Sequence, residues 1–218
     1  MGYSLEELKA HIEDSLSKAD AGKSGISEEI IRMEGYSGSK TRHLYNNLCS
    51  LPGAAYLEVG AWKGSSFVSA IFGNSAKAVA VDNWSEFFGP KDEFIANVSS
   101  LAPGSDWSFV EKDFSKLVSS DFPPSISGFD IYLYDGCHEY ECHEASLPAV
   151  AEFMSDRFIF VVDDWRGDGT WESVVRGTHD GIARSGVRVE SCWIRESRQE
   201  AWGSSEYWNG VAIFLCEK

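Results

Sequence analysis

Basic residues are scarce in this 218-residue chain: 19 Lys and Arg stand against 34 Asp and Glu, a formal net charge of −15. That shortage excludes nucleic acid and anionic membrane surfaces as main partners, because both are held by clustered cations. Long apolar runs are also missing, and none approaches the roughly 20 residues of a membrane span. The first residues, Met1-Gly2-Tyr3-Ser4-Leu5-Glu6-Glu7, carry no basic-then-apolar leader. Cysteine is sparse and odd in number, at 49, 137, 142, 192 and 216. This scatter predicts reduced thiols in a cytoplasmic protein, with Cys49, Cys192 and Cys216 in the core. What is abundant is apolar and aromatic: 43% hydrophobic and 13% aromatic residues, including eight Trp, suffice for a full core.

The hydrophobic pattern divides the chain at about residue 53. Before it, Ser4 and Glu7 form a capping box, and Leu5, Leu8, Ile12 and Leu16 recur at helical spacing. Gly22 to Gly25 ends that helix, Ser27 can cap a second, and residues 40–49 suit a third. Residues 1–53 therefore read as a helical extension, and the basic tract 37–43 as either a lid over the site or a capped helix start on a solvated face. From residue 54 short apolar runs alternate with helical stretches. Strands are expected at 55–59, 78–81, 107–111, 131–134 and 158–162. Helices are expected at 65–72, 92–101, 114–119, 140–154 (kinked or split by Pro148) and 170–185. Two last strands, 187–194 and 208–216, read as a hairpin. The expected fold is α/β: a Rossmann-like, doubly wound, mostly parallel seven-stranded sheet closed by an antiparallel C-terminal hairpin, over residues 54–218.

One segment carries most chemical information: Tyr56-Leu57-Glu58-Val59-Gly60-Ala61-Trp62-Lys63-Gly64-Ser65-Ser66. A strand enters a glycine turn and leaves as a helix whose first N–H groups are free for a ligand. The next strand ends on Asp82, where such folds grip ribose hydroxyls. A purely structural turn is the competing reading.

In these residues the chain resembles class I S-adenosylmethionine-dependent methyltransferases. Glu58, Gly60 and Gly64 match the motif at the first strand, Asp82 the acid of the second, and Asp113 the acid near the adenine after the third. Trp62 replaces a frequent middle glycine, a wider turn resembling the O-methyltransferases of macrolide and aminocoumarin sugars. The resemblance implies S-adenosylmethionine held by Glu58, Gly60, Ala61, Trp62, Gly64, Ser65, Ser66, Asp82, Asn83, Trp84, Asp113, Phe114 and Asp135. Asn83 and Trp84 would pack on the adenine or the substrate; a buried structural Trp84 is the alternative.

Two further strand ends carry acids, in Tyr134-Asp135-Gly136-Cys137-His138-Glu139 and Val162-Asp163-Asp164-Trp165. Neighbouring strands would bring Asp135, Asp163 and Asp164 together, and three close carboxylates repel unless a cation lies among them. Oxygen ligands suit a hard divalent ion, Mg²⁺ first. His138 occupies the offset of a catalytic base in related enzymes; helix cap and metal ligand are its other possible roles. A zinc site from Cys137, His138, Cys142 and His143 has poor spacing. The expected activity is divalent-metal-dependent O-methylation of a hydroxyl on a sugar or other small molecule, in a chain that can be a homo-oligomer. The competing readings are a metal-dependent hydroxylase or hydrolase and a non-catalytic cofactor-binding protein.

Overall fold

The computed structural model describes residues 2–166, 172–196 and 206–218. Three helices come first, α1 (Leu5–Asp20), α2 (Glu28–Ile31) and α3 (Ser39–Leu48). There follow β1 (Ala55–Val59), α4 (Ser65–Ile71), β2 (Lys77–Asp82), α5 (Lys91–Leu101), β3 (Asp106–Glu111), β4 (Phe129–Tyr134), α6 (Tyr140–Ser146), β5 (Met154–Asp163), α7 (Glu172–Ser185), β6 (Arg188–Arg195) and β7 (Val211–Glu217). The strands form one sheet in the order β3-β2-β1-β4-β5-β7-β6. All pairs are parallel except β5 with β7 and β7 with β6. This is the expected sheet and hairpin.

Apolar clusters cover both faces. Leu8, Ile12, Leu16, Leu44 and Leu48 of the N-terminal helices pack into the same cluster as Tyr56, Phe67, Ile131 and Ile159, so the extension shares the core of the sheet. Leu57, Tyr132, Phe160, Leu147 and Val174 lie in the cluster on the other face. Strand β1 is buried along its whole length, whereas β6 alternates half-buried and exposed positions, as an outermost strand does. The Ser4–Glu7 capping box is present on α1.

One expected helix differs, and another is split as expected at Pro148. Residues 114–119 form a single 3₁₀ turn, Phe114–Lys116, which Asp113 caps by accepting the Ser115 N–H and which ends as Leu117 becomes extended. A second 3₁₀ turn follows at Ser119–Asp121. The long helix over 140–154 stops at Ser146, since Pro148 has no N–H and its ring would strike the Glu144 carbonyl. The chain then turns once, Ala151–Phe153, and enters β5 earlier than its apolar run suggests. The expected start of the last helix, 170–171, and most of the hairpin connection lie outside the described residues.

Candidate active site

The turn after β1 depends on its two glycines. Gly60 has φ +90°, and a Cβ there would lie 1.9 Å from the Asp135 carbonyl oxygen. The reason for glycine is thus the crossing of the β1 and β4 exits, cemented by Asp135 N–H donating to Val59 O at 2.9 Å. Gly64, at φ +86°, starts α4 and lies against Phe94. Asp82 clamps the turn from β2: its oxygens accept the Trp62 N–H at 2.9 Å and the Trp84 N–H at 2.7 Å.

Glu58 is fully buried and accepts hydrogen bonds from Ser66 Oγ at 2.6 Å and Tyr56 OH at 2.5 Å. It ties β1 to the start of α4. Burial pushes its pKa up from 4.5 to about 7, against the pull of those two bonds. A folded-state value above the unfolded one means stability falls as pH rises between them. The gap corresponds to roughly 3 kcal/mol. Wild type is therefore expected to lose stability relative to Glu58→Gln between pH 5 and 8, read by urea midpoints. Parallel profiles would show that Glu58 stays ionised throughout.

Other residues of the expected donor site lie as follows. Trp84 is buried among Phe94 and Phe109 and donates its indole N–H to Trp62 O, the structural of its two expected roles. Asn83 accepts from Ser85. Asp113 caps the 3₁₀ turn, which holds its carboxyl below the usual range, and Phe114 meets Tyr134 edge-on.

The β4 and β5 ends meet as expected. Asp135, His138 and Asp164 each place a ligand-type atom within 4.8 Å of the others. His138 Nε2 is 2.7 Å from Asp164 Oδ2, and that bond raises the imidazole pKa. Asp163 is buried beside this triad, its Oδ1 without a hydrogen-bond partner among the described residues. Loss of water pushes the carboxyls of Asp135 and Asp163 well above the ordinary range, and the neighbouring acids push them further. Asp164 has φ +58°, an uncommon conformation that Asp tolerates. His138 joins the acids directly. Sequence reasoning missed Tyr45, 2% exposed on α3, whose ionisation is opposed by burial and then by Asp163 and Asp135.

The cysteine reading is corrected. Cys137 and Cys142 are joined in a disulfide, which removes both the zinc set and the cysteine argument for a cytoplasmic protein. Cys192 is exposed rather than in the core; Cys49 and Cys216 are buried. His143 lies instead on Thr178 Oγ1 at 3.1 Å. The bridge ties the loop bearing Asp135 and His138 to the first turn of α6. Closing so short a loop is worth about 2 kcal/mol. Cys137→Ser/Cys142→Ser is expected to lower Tm by about 5 °C. Identical melting with and without a phosphine reductant would show that the bridge restrains nothing. The basic tract 37–43 is likewise structural at its centre: Arg42 is 2% exposed and donates to the carbonyls of Ile30, Met33 and Ser37.

A glycine turn at the first strand, an acid ending the second and an acid cluster past the fourth and fifth, on this strand order, define the fold of class I S-adenosylmethionine-dependent methyltransferases. The model of the methyltransferase domain matches residues 57–165, and the chain belongs to that family. Solved structures agree in fold. An O-methyltransferase from Bacillus cereus in complex with SAH is 13% identical, with 95% of this chain and 91% of that one covered at TM-score 0.59. TomG from Streptomyces achromogenes, an O-methyltransferase involved in tomaymycin synthesis and solved with SAM, is 15% identical, covering 94% and 90% at TM-score 0.59. TYW2 from M. jannaschii in complex with AdoMet is 13% identical, covering 91% and 80% at TM-score 0.57. No curated protein sequence matches the chain. Among the described residues no helix is long and apolar enough to cross a membrane.

Proposed function

We propose that the chain transfers a methyl group from S-adenosylmethionine to a hydroxyl of a small molecule, with a divalent cation, Mg²⁺ first, at the acid cluster. The observation that carries this reading is the convergence of Asp135, His138 and Asp164 at the sheet edge, next to the Gly60–Gly64 turn. The solved O-methyltransferases with SAH or SAM support the donor. The Gly60–Gly64 turn and the start of α4 would hold the donor. Asp82 would hold the ribose: its oxygens each take one backbone N–H, and a carboxylate has about four lone-pair sites, so two remain for hydroxyls.

The residues also fit a hard cation. The donors are carboxylate oxygens with one imidazole, Asp163 Oδ1 is buried and unpartnered among the described residues, and repulsion among the acids would be relieved by positive charge. When bound, the cation would orient the acceptor hydroxyl and lower its pKa. Asp135 and Asp164, with Asp163 buried beside them, would hold that charge in place. His138 takes the hydroxyl proton, and Asp164 stabilises the imidazolium that results. The short distances also suit His138 as a ligand.

Titration calorimetry with S-adenosylhomocysteine tests the donor, and absence of binding removes the reading. His138→Ala separates base from ligand. A base costs kcat about 10²–10⁴-fold with metal affinity kept; a ligand costs metal affinity first.

A further inference from the structure

Four aromatic rings stand beyond the same sheet edge and take no part in the acid cluster. Trp62 follows β1, Phe87 follows β2, Trp208 precedes β7, and Tyr36 comes from the N-terminal extension. Val211 of β7 pairs with Asp163 of β5, so Trp208 lies just off the edge that carries the acids. Tyr36 touches all three other rings. It stacks on Trp62 with centroids 4.7 Å apart, meets Trp208 edge-on at 6.1 Å, and tilts against Phe87 at 6.4 Å.

Buried contacts put Tyr36 there. A Cβ on Gly35 would lie 2.0 Å from Ser65 Oγ, and one on Gly38 1.9 Å from the Glu206 carbonyl oxygen. Arg42 binds the carbonyls of the same loop. Despite this anchoring Tyr36 is 60% exposed and Phe87 61%. Phe87 and its neighbour Phe88 have φ +48° and +69°, a conformation bulky residues rarely adopt. The Trp62 indole N–H is buried and has no acceptor among the described residues.

Charge narrows the guest. Lys63 Nζ is 5.0 Å from the centre of the Trp62 ring and is paired with Glu34 and Glu93, so a cation of the chain already takes the place a cationic guest would want. The nearby acids oppose an anion. A neutral, planar guest suits the exposed rings.

We infer that Tyr36, Phe87 and Trp208 form a platform for the flat body of the methyl acceptor. The acceptor is then a neutral, conjugated molecule bearing hydroxyls, and not a bare sugar. The inference rests on the methyl-transfer reading of the adjacent site.

The test uses the full chain and 2,3-dihydroxynaphthalene as probe, with methyl glucoside for comparison. Quenching of tryptophan fluorescence gives affinity with and without S-adenosylhomocysteine and Mg²⁺. The naphthalene is expected to bind at least tenfold tighter than the glucoside. Phe87→Ala and Tyr36→Ala are expected to weaken it about tenfold, with S-adenosylhomocysteine affinity unchanged; Tyr36→Phe should retain binding. In turnover assays the Ala variants should raise KM and leave kcat nearly untouched. Equal affinities in wild type and both Ala variants, or preference for the glucoside, overturn the platform. Failure of wild type to bind S-adenosylhomocysteine overturns the methyl-transfer reading instead, and the donor-free fluorescence titration still reads the platform by itself.

Discussion

Asp164→Asn is expected to cost methyl transfer at least about 10²-fold in kcat/KM while leaving S-adenosylhomocysteine affinity close to wild type. The substitution keeps the shape of the side chain, and Asn tolerates the positive φ that Asp164 adopts. What is lost is one charge from the cluster and the strong bond to His138 Nε2. In wild type, millimolar Mg²⁺ should raise Tm, because a ligand that binds only the folded chain stabilises it by mass action. In Asp164→Asn that gain should shrink or vanish, and metal-free stability should change little, since relief of repulsion offsets the lost ion pair. Full turnover after exhaustive chelation, with no metal by elemental analysis, would remove the cation from the proposal.

Gly60→Val is expected to damage both halves of the site at once. A side chain at φ +90° is strained, and its Cβ would overlap the Asp135 carbonyl oxygen, which belongs to backbone and cannot swing away. The β4 exit must shift, moving Asp135 and His138 with it. A loss of about 3 kcal/mol or more in stability is expected, with donor and metal binding both lost. Gly60→Ala meets the same overlap and should fail in the same direction. A Gly60→Val chain that melts like wild type and loses the donor alone would mean that the glycine serves only the ligand.

The N-terminal capping box, the order of strands and helices, the glycine turn and the strand-end acids were all legible in the sequence. Each is a local pattern: a side chain bonding its own helix start, an apolar run of strand length, an acid after such a run. Periodicity also carried the helical extension. Local pattern was incomplete in two places. Residues 114–119 have helical composition, yet the chain makes one 3₁₀ turn and goes extended at Leu117, whereas the break within 140–154 was legible in Pro148. Cys137 and Cys142 looked like scattered thiols because a five-residue separation says nothing of whether the loop brings the sulfurs together.

The sequence by itself determined that the chain folds as a parallel α/β sheet with acids and a glycine turn on one edge, because alternation and strand ends are written in residue order. Only the tertiary structure decided what those residues touch. Gly60 is required by the backbone of a strand seventy-odd positions away in the chain, Arg42 serves the carbonyls of its own loop, and Tyr36 and Tyr45 come from the extension to the edge of the sheet. Such contacts join segments whose separation in sequence carries no periodic signal, and they form only when the helices of the extension bury their apolar faces against the sheet.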